Sequence, residues 1–302
     1  MLGGRARSIP RSLLAWGVAL VATELAACAS LPPAGSMATP ALDGGTERIP
    51  VTVARPAGDG PFPAVVILHD CSGLGPGSSG APARWSRELV ARGYVTLVPD
   101  SFTTRGHPGG VCTDGRPGRG EVAPARRALD AYAALAHARG LPFVDGRHVG
   151  VMGGSHGGST ILAAIAATDG GPLARAQRQG FAAAVALYPA CRARYGGWRP
   201  NTDGVYRPVA PLLILIGDRD DWTPAEPCRA LVLSTRAGPQ PAEIVVYPGA
   251  HHSFDSDRPV RYVAARVNIN APGGRGATTG GDPQAWADSI RRVTELFDRT
   301  LK

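Results

Sequence analysis

Ser155 lies in the run Gly153-Gly154-Ser155-His156-Gly157-Gly158, which fits the pattern G-x-S-x-G. That pattern sets a serine on a sharp turn, with its hydroxyl lifted above a sheet and the following helix pointing amides at developing negative charge. A hydroxyl is a weak nucleophile at neutral pH. It needs a base within hydrogen-bond reach, and the base needs an acid to fix its tautomer. Both follow along the chain. Asp220 stands in Gly217-Asp218-Arg219-Asp220-Asp221-Trp222-Thr223-Pro224, and His252 in Pro248-Gly249-Ala250-His251-His252-Ser253-Phe254-Asp255. The chemistry these three would perform is acyl transfer, with Ser155 as nucleophile, His252 moving the proton and Asp220 orienting the imidazole. Asp221 is the rival acid and His251 the rival base. An oxyanion needs two amides. One is expected from His156, the residue after the nucleophile. The other is expected from Cys71 in the loop His69-Asp70-Cys71-Ser72-Gly73.

A chain with 40 glycines produces a G-x-S-x-G run by chance fairly readily, so the elements around these residues decide its weight. His148–Met152 reads as a strand ahead of Ser155, with an alanine-rich helix over 161–168 behind it. Pro211–Ile216 reads as a fully buried parallel strand ahead of Asp220, and Glu243–Tyr247 as a strand ahead of His252. Further strands are expected at 48–54, 64–68, 95–98 and 182–187, with helices at 81–92, 121–138, 227–235 and 283–301. Strands alternating with helices imply an α/β domain, one doubly wound, mostly parallel sheet with helices on both faces. Every candidate residue then falls at the carboxyl ends of strands, where such sheets bind ligands. Serine, acid, histidine in that chain order, each just after a strand, is the order of the α/β-hydrolase fold. Residues 256–282 read as a long irregular stretch, a loop beside the site or an exposed insertion.

The 302 residues suffice for one large domain, and 44% hydrophobic with 19% charged residues excludes a disordered chain. The net charge of +8 does not point to nucleic acid. Without residues 1–27 it falls to +6, and the arginines form no stripe interleaved with aromatics. Arg5, Arg7 and Arg11 precede the apolar stretch 13–22, which ends in Leu25-Ala26-Ala27-Cys28. This resembles a lipoprotein signal (residues 1–27) cut before a lipidated Cys28; an ordinary secretory signal cut near Ala27-Cys28-Ala29 is the alternative. Either places the mature protein outside the cytoplasm. A lipid anchor would hold it on the cell envelope facing the periplasm, at the outer membrane where there is one. Residues 28–45, rich in Pro, Gly, Ala and Ser, read as a tether to a folded domain over 46–302. Four further cysteines suit an oxidising compartment. Cys191 and Cys228 each follow a core strand at the same edge of the sheet and are paired, leaving Cys71 with Cys112; four free thiols are the alternative. No metal or organic cofactor is expected, since the histidines lack H-E-x-x-H or similar spacing.

Together His69–Gly73, Asp100-Ser101-Phe102 with Arg105-Gly106, Gly153–Gly158, Gly217–Pro224 and Tyr247–Phe254 resemble the dienelactone hydrolase family, from about residue 48 to 300. The resemblance implies the α/β-hydrolase fold and hydrolysis of esters or lactones. Two departures stand out. The family's namesake has a cysteine where Ser155 stands, with a nearby glutamate that Asp70 would replace. It also binds the substrate carboxylate with two arginines. Arg105 lies near the position of one, and is equally a candidate for a structural arginine tying down its loop. Ser256 occupies the other position, with Arg258 the nearby substitute. The small-molecule ester or lactone therefore stays unnamed. A peptidase or lipase of the same fold, and a non-catalytic envelope-binding lipoprotein on a hydrolase scaffold, are the competing readings.

Overall fold

The computed structural model describes residues 1, 3, 35–114, 120–200 and 204–302. The chain divides into two compact units, Met1–Ser30 and Leu31–Lys302, and the elements below belong to the second. The expected signal over 1–27, apart from its first and third residues, and Cys28 lie outside the described residues.

Strands β1 (Gly35–Pro40), β2 (Thr46–Ala54) and β3 (Phe62–Leu68) lead to helix α1 (Ala81–Val90) and strand β4 (Val95–Pro99). Helix α2 (Pro124–Arg139), strand β5 (Val144–Gly154), helices α3 (His156–Ile165) and α4 (Gly171–Gln177), and strands β6 (Ala184–Leu187) and β7 (Leu212–Gly217) follow. The chain closes with helix α5 (Ala225–Ser234), strands β8 (Glu243–Tyr247), β9 (Arg261–Val267) and β10 (Arg275–Thr279), and helix α6 (Pro283–Leu301). Eight strands make one sheet in the order β1-β2-β4-β3-β5-β6-β7-β8. Pairs from β4 to β8 are parallel, while β2 runs antiparallel to both β1 and β4. The central strands are apolar throughout because both faces are covered: Val65, Val66, Ile214, Leu215 and Ile216 are fully buried. Helix α6 sits close against β5, where a side chain at Gly150 would meet the Phe297 ring at 2.8 Å.

The expected elements all form, with ends shifted by a few residues. Two expectations are corrected. Residues 35–40 are not tether but strand β1, with Met37 and Thr39 turned inward at 2% exposure each. Thr39 Oγ1 donates to Asp130 at 2.8 Å, so a segment whose composition reads as linker is held by a buried polar partner. Residues 256–282 are not irregular either; β9 and β10 form an antiparallel hairpin. Its strands are short, their pairing is bulged and β9 is mostly exposed, which blurs the alternation a strand needs to be legible. The hairpin docks on the loops that follow the parallel strands. Val267 donates its amide to the Cys112 carbonyl at 3.0 Å, and Trp222 Nε1 donates to the Val267 carbonyl at 2.8 Å.

Candidate active site

Strand β5 is central, and it delivers Ser155 to the carboxyl edge of the sheet in a conformation few residues adopt (φ 53°, ψ −115°). Such a backbone costs on the order of 1–3 kcal/mol and persists only where its surroundings fix it. Here the Ser155 amide donates to the Leu187 carbonyl at 2.9 Å, and its carbonyl accepts the Ser159 amide at 2.8 Å. The neighbouring glycines leave room for that turn. A side chain on Gly157 would stand 2.2 Å from the Leu68 carbonyl oxygen, and one on Gly154 would stand 2.4 Å from the Tyr188 hydroxyl.

Asp220 and His252, from the loops after β7 and β8, converge on this serine. Ser155 Oγ lies 2.9 Å from His252 Nε2, and His252 Nδ1 lies 2.8 Å from Asp220 Oδ2. A carboxylate accepts only, so Nδ1 carries the proton and Nε2 is left to accept from the serine hydroxyl. Asp220 is fixed in turn, its Oδ1 accepting the amides of Trp222 at 3.0 Å and Thr223 at 2.7 Å. Thr223 Oγ1 sits 2.9 Å from Asp220 Oδ2 and 3.0 Å from His252 Nδ1. The imidazole is wedged between rings, with the centroids of Tyr188 and Trp222 each 4.7 Å away. All three residues are buried.

The rivals are occupied elsewhere. Asp221 accepts the Thr278 amide and hydroxyl, each at 2.8 Å, and so pins the hairpin. His251 Nδ1 faces the Arg219 carbonyl at 3.0 Å. Beneath His252 lies one further carboxyl, Asp255, bonded by Tyr188 Oη at 2.7 Å and Trp85 Nε1 at 2.8 Å. Burial raises its pKa and outweighs those two donors.

The loop after β3 faces Ser155 from the other side. Disulfides join Cys71 to Cys112 and Cys191 to Cys228, the pairing the sequence predicts. The first ties the Cys71 turn to the segment after Phe102, and the Val111 amide bonds the Cys71 carbonyl at 2.7 Å. Cys71, Ser155 and His156 share the wall of one cavity. Asp70 lines the opposite cavity, its Oδ1 accepting the Ser72 amide at 2.7 Å and its Oδ2 the Ser79 hydroxyl.

Arg127 is the residue sequence reasoning missed. It lies on α2, is fully buried, and spans the two halves of this region. Its Nη1 donates to His156 Nδ1 at 2.7 Å and its Nη2 to the His69 carbonyl at 2.8 Å. Its guanidinium stacks on Phe102 at 4.9 Å. Burial pulls its pKa down to about 10, against the pull of Asp130 and Asp70. His69 is kept neutral by the same surroundings, since burial first and the Arg127 charge second hold its pKa well below the ordinary value. The only signal in the sequence was an arginine within the apolar face of a helix.

Arg105 is corrected as a substrate ligand. Its side chain is 3% exposed and locked in a buried cluster, with Nη1 2.7 Å from Asp130 and Nη2 2.8 Å from Glu47. Arg126 joins the same two carboxylates. Burial alone would raise the Asp130 pKa, yet the bonds and charges of Arg105 and Arg126 hold it below the usual carboxylate range. Ser256 and Arg258 do line the cavity in front of Ser155.

The model of the dienelactone hydrolase family matches residues 49–301, a span that contains every residue of this site. The chain belongs to the dienelactone hydrolase family. A relative in Methylorubrum extorquens, named for carboxymethylenebutenolidase activity, is 27% identical over 263 residues, covering 83% of this chain and 84% of the relative. Among solved structures, Thermogutta terrifontis esterase 2 superposes with a TM-score of 0.60 at 20% identity, covering 89% of this chain and 96% of the esterase. A dienelactone hydrolase-like promiscuous phosphotriesterase from metagenomic libraries gives 0.57 at 21% identity, covering 89% and 98%. At those identities the structures establish the family's α/β-hydrolase fold for this chain.

Proposed function

We propose that this member of the family is a serine hydrolase that cleaves ester or lactone bonds of a small molecule through an acyl-enzyme. The observation that carries the reading is the hydrogen-bonded line from Ser155 Oγ through His252 to Asp220. Ser155 Oγ attacks the carbonyl carbon as His252 Nε2 takes its proton. The resulting oxyanion lies between the amides of Cys71 and His156. The bond to the leaving oxygen then breaks as Nε2 returns the proton to it, and Asp220 stabilises the transient imidazolium. Water repeats the sequence on the acyl-serine, releasing the carboxylic acid and free Ser155. Loss of one oxyanion donor typically costs ~10²–10³ in rate, so the Cys71 loop contributes measurably to the chemistry, though less than the base does.

The test is Ser155→Ala. Turnover of p-nitrophenyl butyrate should fall to background with an unchanged melting temperature and circular dichroism spectrum. Retained turnover would move the nucleophile elsewhere. We also infer that the mature chain begins at a lipidated Cys28 on the cell envelope, on the strength of Leu25-Ala26-Ala27-Cys28. Intact mass should carry the added acyl chains on Cys28, and an unmodified N-terminus would refute the anchor.

A further inference from the structure

Two cavities meet at Ser155, and they differ in chemistry. One, of about 50 Å³, is walled by Arg258, Arg261 and Arg266 together with His252 and Asp70. The other, of about 260 Å³, is walled by Val111, Ala190, Ala193, Tyr195 and Val267 together with His156. Ser155 and Trp222 border both. At the end of β9 the adjacent Arg266 and Val267 point to opposite faces, as successive strand side chains do. Arg266 of β9 lies over the Trp222 ring at 5.2 Å and lines the first cavity; its neighbour Val267 lines the second.

Among the described residues none of the three arginines pairs with a carboxylate within 4.0 Å. Arg258 Nη2 reaches only the Ser78 carbonyl, at 3.4 Å. Asp70 is the one acid among the described residues of that wall, and its oxygens accept from Ser72 and Ser79. Burial lowers the Arg266 pKa; Asp70 opposes the shift, while Arg261 and Arg258 add to it. Three guanidiniums line one small cavity against a single carboxylate, a net positive wall that favours entry of an anion.

The reaction geometry orients a substrate across this divide, given the acyl-enzyme reading. His252 returns its proton to the leaving oxygen, and His252 lines only the arginine cavity, so the leaving group lies there. The acyl chain, which leaves the reacting carbon in another direction, then takes the larger cavity, which His252 does not line. A carboxylate offers two coplanar oxygens and one charge. A phosphate monoester offers three oxygens and a charge of about −1.5 to −2, and so can serve three arginines arriving from different directions. We propose that the substrate is a carboxylic ester joining an apolar acyl group to an alcohol that carries a phosphate. Water is consumed, and the products are the apolar carboxylic acid and the phosphorylated alcohol.

The experiment compares kcat/KM for four esters: 1-octanoyl-glycerol 3-phosphate, 1-octanoyl-glycerol, O-octanoyl-glycolate and 1-acetyl-glycerol 3-phosphate. The first should exceed each of the others by ~10-fold or more, the worth of a charge-assisted hydrogen bond or of the buried apolar chain. Arg261→Gln and Arg266→Gln should each bring the ratio of the first to the second down toward one. Arg275→Gln, an exposed arginine of the same hairpin that lines neither cavity, should keep the wild-type ratio. Equal turnover of phosphorylated and neutral esters, equal or greater preference for the glycolate, or an unchanged ratio in both arginine variants would overturn the proposal. Absence of turnover on all four esters and on p-nitrophenyl butyrate would instead overturn the hydrolase reading beneath it.

Discussion

Replacing Arg127 by methionine should slow turnover far more than it weakens substrate binding. The methionine stem fills much of the same buried space on α2, but two hydrogen bonds disappear, to His156 Nδ1 and to the His69 carbonyl. The buried His69 carbonyl left unsatisfied costs about 1–3 kcal/mol. Removing a guanidinium that burial disfavours offsets part of this, as its lowered pKa of about 10 indicates. The net loss of stability should be modest, ~1–3 kcal/mol. The kinetic loss should be larger in effect, because those two bonds strap together the loops carrying the Cys71 and His156 amides. A displacement of about 1 Å in a catalytic array costs ~10² in rate, so kcat should fall ~10- to 100-fold with KM changed less than about threefold. Arg127→Lys should fall between, since an ammonium cannot span two acceptors with a planar fork. Steady-state kinetics on p-nitrophenyl butyrate, alongside calorimetric melting, separates the terms. A variant that melts lower but keeps its kcat would make Arg127 a purely structural arginine and refute the strap.

Two further expectations concern acids. Asp220→Asn should lower kcat by about 10⁴ by favouring the wrong imidazole tautomer, whereas Asp221→Asn, which loosens only the Thr278 contact, should cost under ~10-fold; steady-state kinetics showing the reverse order would reassign the acid. Asp130→Asn should destabilise the fold by about 3–5 kcal/mol, because it leaves two buried arginines with only the part-exposed Glu47 as a charged partner. The wild-type Asp130 has its pKa lowered in the fold, so its contribution is present above the unfolded value of ~3.9 and is lost as pH falls through the folded one. Melting temperature against pH should therefore drop less steeply below pH ~4 in the variant than in the wild type.

Much of the fold was legible because its strands are short apolar runs that end in recognisable turns. Pro211–Ile216 and Glu243–Tyr247 announced β7 and β8, and their ends delivered Asp220 and His252. The G-x-S-x-G turn announced β5 and α3 for the same reason, since the glycines are demanded by close backbone contacts. Strand β1 was hidden by composition: its inward residues are a methionine and a threonine, and the threonine's partner is 91 residues away. Arg105 and Arg127 show the limit most clearly. Both are arginines in or near helical segments, yet one closes a buried ion cluster and the other spans the loops at Ser155. Only tertiary partners distinguish them. Of the arginine wall only Arg258 was legible; Arg261 and Arg266 were hidden, because they depend on a hairpin folding back beside His252, where Gly280 donates its amide to the His252 carbonyl at 3.0 Å.

The measurement that bears most directly on the account is the mass of the peptide containing Ser155 after acid quench during turnover of p-nitrophenyl butyrate. A butyryl group should appear on Ser155 within the burst of p-nitrophenol and be absent in Ser155→Ala. A burst with an unmodified Ser155, or with the acyl group on another residue, would contradict it.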